Sequence, residues 1–175
     1  MSTLYTPILT NDKILQDDKQ RWRYFCIDTR HWEASTKLIH TFKPVWHETI
    51  FDVASRTSIP EKQGIYMFVL KPLNESIANF QHKYILYVGQ TINLRQRFGT
   101  YFGYINSKKP SDQLKRIMTL VWQGKLQFHY FEATNLTSDE LTDIEFDLID
   151  TIVPPMNSRF RADIIKATVK FYAAR

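Results

Sequence analysis

A single cysteine, Cys26, stands among the 175 residues. It cannot form an intramolecular disulfide, and a structural zinc cluster is implausible. No apolar run approaches the roughly 20 residues that a membrane-spanning helix needs. The stretch from Met1 to Lys13 lacks a basic region followed by a continuous apolar one, so no secretory leader is expected. Together these absences favour an intracellular, cytoplasmic protein in a reducing compartment, with no membrane partner. There is no internal repeat and no low-complexity tract.

What remains is an ordinary globular composition, 43% hydrophobic and 23% charged. The length suits one domain with a modest extension. The formal net charge is +5 and the pI about 9.3. That balance suits an anionic partner, because phosphate neutralisation and counterion release drive nucleic-acid binding. A solvated basic surface would give the same balance.

Hydrophobic patterning divides the chain. Residues 1 to 60 are rich in aromatic and basic side chains, in Arg21-Trp22-Arg23-Tyr24-Phe25, His31-Trp32 and Trp46-His47. After a turn at Ile59 to Gly64, the runs Gly64–Leu70 and Tyr84–Val88 read as strands, the second stopped by Gly89. The polar connection Lys71 to Lys83 joins them. Thr91 or Asn93 can cap a helix reaching about Tyr104, with Leu94, Phe98, Tyr101 and Phe102 on one face. A second helix opens at Ser111 or Asp112 and ends at Gly124. Leu126 to Glu132 alternates as a third strand. Thr137 and Glu140 make a capping box for a helix that Pro154-Pro155 ends. A short helix is expected within Arg161 to Arg175. The expected fold is α/β (α+β), with a central antiparallel three-stranded sheet flanked by helices.

Two charges sit awkwardly in this pattern. Glu145 lies three or four residues from Leu141, Leu148 and Ile149, on the border of an apolar helix face. Asp143, Asp147 and Asp150 are the acids expected to face solvent. Arg97 leaves an apolar face between Leu94 and Tyr101, whereas Arg95 is expected to be solvated. A buried carboxylate needs an arginine or a hard cation such as magnesium. An inward arginine binds phosphate in a forked geometry or pairs with such a carboxylate. Both readings are open for each residue. Tyr66 and Tyr87 sit on the two adjacent strands, where tyrosine ordinarily packs.

Gly64-Ile65-Tyr66 and Tyr87-Val88-Gly89 resemble the two signature strands of the GIY-YIG nuclease family. Tyr87-Val88-Gly89-Gln90-Thr91-Ile92-Asn93-Leu94-Arg95-Gln96-Arg97-Phe98 resembles that family's second strand running into its first helix, with the family arginine at Arg97. Tyr101 takes the place of a histidine or tyrosine one turn on. The family glutamate maps to Glu145, and its asparagine to Asn157 in Pro154-Pro155-Met156-Asn157. Arg97 to Phe102, and the step from Glu145 to Asn157, are similar to the nuclease module of the bacterial excision-repair enzyme. The resemblance covers about residues 63 to 160. It leaves 1–62 as an N-terminal extension and 161–175 as a C-terminal helix. The Lys71 to Lys83 connection is longer than in compact members.

The resemblance implies a metal-dependent DNA endonuclease yielding 5′-phosphate and 3′-hydroxyl ends. It implies one divalent cation per site, Mg²⁺ or Mn²⁺, held by Glu145. Tyr66 would act as or position the base, helped by Arg97, since a free phenol has a pKa near 10. Tyr87 and Tyr101 would bond the water, Tyr66 or the phosphate, and Asn157 would orient backbone or contact phosphate. Lys108, Lys109, Lys115, Arg116 and Lys125 could follow a double-stranded DNA backbone, or form a solvated surface. Arg21 and Arg23 could read DNA, or belong to strands packed on the sheet. The size is similar to that of stand-alone restriction endonucleases of the family, which implies a homodimer acting on palindromic sites. Other readings are a repair, mobile-element or low-specificity defence nuclease, and a non-catalytic nucleic-acid-binding module.

Overall fold

The structure is a computed structural model that describes residues 43–70 and 84–173, with side chains to residue 170. Arg21, Arg23 and the connection at 71–83 lie outside the described residues.

The strands expected at the centre pair antiparallel: β2 (Gly64–Leu70) lies between β3 (Tyr84–Thr91) and β4 (Leu126–Glu132). A further strand, β1 (His47–Ile50), pairs with the far side of β4, giving the order β1-β4-β2-β3. The described sheet therefore has four strands where the pattern indicated three. His47-Glu48-Thr49-Ile50 is a short edge strand without a clean alternation, so periodicity could not separate it from loop. β3 also runs past Gly89, because that glycine pairs with Tyr66 as a regular member of the ladder.

Alternation sends side chains to two cores. On one face Tyr66, Phe68 and Phe128 meet Leu94, Phe98 and Tyr101 of α1 (Leu94–Tyr104) and Ile117 and Met118 of α2 (Gln113–Val121). On the other, Ile65, Met67, Val69, Val88 and Phe131 meet Leu141, Leu148 and Ile149 of α3 (Ser138–Ile152). The helix starts are chemically specified. Asn93 accepts from Gln96 N at the start of α1, and Thr137 and Glu140 form the expected capping box of α3. Helix α4 (Asp163–Ala173) follows. No helix among the described residues is long and apolar enough to cross a membrane.

The segment before residue 63 is built into this body. Phe51 is buried, stacked on Phe102 at 4.4 Å and edge-on to Phe68 and Phe98. Arg95 is a clamp rather than a solvated residue. Its Nε donates to Ile59 O (2.7 Å), and its Nη groups donate to Thr57 O (3.3 Å) and Glu61 Oε1 (2.5 Å). The N–H groups of Leu94 and Arg95 donate to Lys62 O and Pro60 O, so this segment caps α1. Residues 51–62 thus pack on the same body as α1. Asp150 departs from its expected exposure as well. It is 5% exposed and accepts the N–H groups of Arg161 (3.0 Å) and Ala162 (2.7 Å), fixing the turn before α4.

Phe51→Ala is expected to destabilise the protein by about 3–5 kcal/mol, the usual cost of emptying a buried phenylalanine site. Denaturant unfolding measures this, and a cost under about 1 kcal/mol would show that the segment merely rests on the body.

Candidate active site at the edge of the sheet

Tyr66 points from β2 into the α1 face and is fully buried, its ring stacked on Phe128 at 5.3 Å. Opposite it stands Gly89, where a Cβ would fall 2.5 Å from Tyr66 Oη. The glycine of the second signature is therefore a steric requirement of the tyrosine of the first.

One turn of α1 then supplies two partners for that phenol. Arg97 Nε donates to Tyr66 Oη at 2.8 Å, and Tyr101 Oη lies 3.1 Å from the same oxygen. Arg97 Cζ sits 5.9 Å from the Tyr66 ring centroid and 5.6 Å from that of Tyr101. Either hydroxyl can donate in the tyrosine pair: neutral Tyr66, which accepts from Arg97, can donate to Tyr101, and an ionised Tyr66 would accept from it. The terminal nitrogens of Arg97 have no hydrogen-bond partner among the described residues. They present the forked donor face that binds a phosphate. Tyr87, half-buried on β3, brings its ring to 6.1 Å from those of Tyr66 and Tyr101.

Glu145 reaches the same region from the other face of the sheet. Its Oε1 accepts the backbone N–H of Gln90 at 3.1 Å, and Gln90 Nε2 donates to Thr142 Oγ1 at 2.8 Å, one turn earlier on α3. Asn157 follows the turn after α3 and pairs with both backbone groups of Val88, Nδ2 to O and Oδ1 from N, each at 2.9 Å. It touches β3 backbone and not the tyrosine cluster. Met156 N donates to Leu86 O at 2.9 Å. Residues 86, 88 and 90 are those whose backbone faces away from β2, so this row covers the outer edge of β3.

Burial is the main electrostatic force here. It pushes the Tyr66 phenol well above its usual range, with Tyr87 adding to the effect, while the Arg97 charge and the bonds from Tyr101 and Arg97 pull it back. Tyr101 is raised by burial and by Tyr66 and Tyr87, with Arg97 opposing. Burial works against the Arg97 charge, but the tyrosine oxygens around it more than offset this and the guanidinium stays charged. The half-buried Glu145 carboxyl is raised by burial, against the bonds from Gln90 and the charge of Arg97. Among the described residues Glu145 and Arg97 form no ion pair, so the purely structural pairing left open by the sequence is not what their geometry shows.

No group of three or more histidine, cysteine, aspartate or glutamate side chains that could hold a metal occurs among the described residues. A cage made only of protein ligands is therefore not built among the described residues. The donor set fits a hard divalent cation of the other kind, bound by one carboxylate, water and substrate oxygen. Glu145 is such a carboxylate, partly desolvated and in the field of Arg97 without an ion pair to it.

Of the expected DNA contacts, Lys108 and Lys109 are exposed beyond α1, while Lys115, Arg116 and Lys125 are half-buried around α2. Lys115 lies against Tyr104. Gln90 and Tyr104 gave no signal of their own in the sequence. Gln90 is a polar residue at a strand end, and only the pairing of β3 with α3 shows what it holds.

No family model matches the chain, and no curated protein matches it. Among solved structures it is similar to the GIY-YIG N-terminal endonuclease domain of UvrC from Thermotoga maritima, in two point variants described as bound to the catalytic divalent cation. For one the identity is 18%, the TM-score 0.36, and the match covers 62% of this chain and 99% of that chain. For the other the values are 17%, 0.37, 62% and 99%.

Asn157→Asp retains the acceptor for Val88 N and sets a carboxylate oxygen against Val88 O. A loss of about 1–3 kcal/mol in denaturant unfolding is expected, the cost of an unmet partly buried polar group. A neutral result would remove Asn157 as the latch of β3.

Proposed function

We propose that the chain is a metal-dependent DNA endonuclease of the GIY-YIG type. The observation that carries this reading is the free forked face of Arg97. The residue is held by Tyr66 and Tyr101 and is not paired with Glu145. Two inward charges that form no ion pair with each other cost stability. A phosphodiester bound by Arg97 and a cation bound by Glu145 would relieve both.

In this mechanism Arg97 takes two oxygens of the scissile phosphate and stabilises the charge that grows on them. Mg²⁺ or Mn²⁺ at Glu145 would supply Lewis-acid neutralisation of the phosphate and the leaving oxygen. Tyr66 accepts the proton of the attacking water as its phenolate, a form that the hydrogen bonds from Arg97 and Tyr101 favour against the burial that opposes it. Tyr87, on the rim of the cluster, orients the water or a phosphate oxygen. Gln90 and Asn157 hold the strand from which Tyr87 projects. The products are a 5′-phosphate and a 3′-hydroxyl. The finer reading is a restriction-like enzyme cutting double-stranded DNA as a homodimer.

Plasmid DNA incubated with the protein and Mg²⁺ is expected to be cut into discrete bands. A smear would replace restriction by low-specificity cleavage. Arg97→Ala and Tyr66→Phe should each lower the rate at least about a hundredfold, the usual cost of losing a transition-state donor or a general base. Cleavage by the wild type that persists undiminished in Tyr66→Phe would remove the role given to that residue.

The pH dependence has a definite sign. The base must be ionised, and burial raises the Tyr66 phenol. The reactive fraction therefore grows about tenfold per pH unit below its pKa. The single-turnover rate is expected to climb from pH 7 to pH 9 without a plateau, and a flat profile would exclude the tyrosine as the base.

A further inference from the structure

We propose that Tyr104 and Lys115 form a second phosphate subsite beside the Arg97 cluster, so that the ligand is a nucleic-acid strand gripped at more than one phosphate. The identity of the ligand rests on the nuclease reading above; the placement of the cation rests on the structure alone.

Tyr104 closes α1 one turn after Tyr101, and their rings meet edge to face at 5.2 Å. From α2, Lys115 lays its ammonium 4.8 Å from the Tyr104 ring centroid, with Nζ 3.5 Å from Tyr104 Oη. Both residues are half-buried. The row from Arg97 through Tyr101 and Tyr104 to Lys115 is continuous, each step under 6 Å.

What distinguishes Lys115 is that it is positioned without being neutralised. Lys62, Arg95, Arg161 and Lys166 each have a carboxylate partner. Among the described residues Lys115 has none, and its contacts are to a ring face and a phenol. A cation–π contact fixes the ammonium while leaving its charge available, so little side-chain entropy remains to be lost on binding an anion. Lys108 and Lys109 are exposed and carry no such fixation. The phosphates of one DNA strand recur about every 3.4 Å along the helix axis. With one phosphate on Arg97, a near neighbour in the same strand can meet Lys115. An isolated phosphodiester would leave that cation unused.

The test begins with binding in a chelating buffer, where cleavage is off. Fluorescence anisotropy with a labelled duplex of about twenty base pairs reads the slope of log K against log salt. Lys115→Met should reduce the magnitude of that slope by about 0.9, the contribution of one phosphate contact. Lys115→Arg and Tyr104→Phe should retain the slope, and Tyr104→Leu should lower it. Lys166→Met, in which the lysine removed is paired with Asp163, is the control. Single methylphosphonates are then placed on either side of the bond cut in Mg²⁺. One flanking position should cost the wild type about tenfold in kcat/KM and cost Lys115→Met nothing. A wild-type slope in Lys115→Met, or equal losses in both proteins at every position, overturns the subsite. A wild type that binds with the expected slopes but cuts no DNA removes the nuclease reading and keeps the subsite.

Discussion

A sheet that ends on β3 leaves the outward backbone groups of that strand to be satisfied, and their satisfaction assembles the site. The partners come from α3 and the turn after it: Glu145 for Gln90 N, Asn157 for both groups of Val88, and the backbone N–H of Met156 for Leu86 O. Val153, at φ 48° and ψ 59°, is the bend that returns the chain to the strand. A β-branched residue there is strained, and Pro154 behind it disfavours the ordinary helical alternative. Closing the edge and delivering the carboxylate are thus one structural act.

The second constraint is steric and electrostatic. Tyr66 can lie across β3 only because position 89 has no side chain. Once buried, its phenol is met by the two hydrogen-bond partners that α1 offers, the donor Arg97 and the hydroxyl of Tyr101. Glu145 carries a separate cost, since its own burial raises its carboxyl above the ordinary range while the Arg97 charge opposes the shift. A carboxyl raised in the folded state favours folding while protonated and withdraws that contribution as the pH rises through its folded pKa. Ionising Glu145 therefore costs the fold stability unless a cation offsets the charge, which is the role proposed for it above.

Much of this was legible in the chain, and the failures have physical reasons. The three central strands, the caps at Asn93 and Thr137 and the inward bearing of Arg97 and Glu145 follow from local chemistry and periodicity. β1 was not legible, since its existence depends on a long-range pairing with β4. Arg95 and Asp150 were misjudged for the same cause: helical bearing identifies a side of the helix, but only tertiary structure shows that another segment covers it. The tyrosines were recognisable by their motif, while the glycine facing Tyr66 and the role of Gln90 became clear only with the strand register in hand.

Beyond accepting the N–H of Gln90, Glu145 has the proposed role of holding a divalent cation. Thermal unfolding of the wild type and of Glu145→Gln, in chelator and with added Mg²⁺ or Mn²⁺, separates the two. A cation that binds only the folded protein raises Tm in proportion to its occupancy. The wild type is expected to show a metal-dependent rise and Glu145→Gln none, and in chelator Glu145→Gln should be at least as stable as the wild type. A wild type indifferent to metal, together with a Glu145→Gln protein that unfolds early in chelator, would contradict the proposed role.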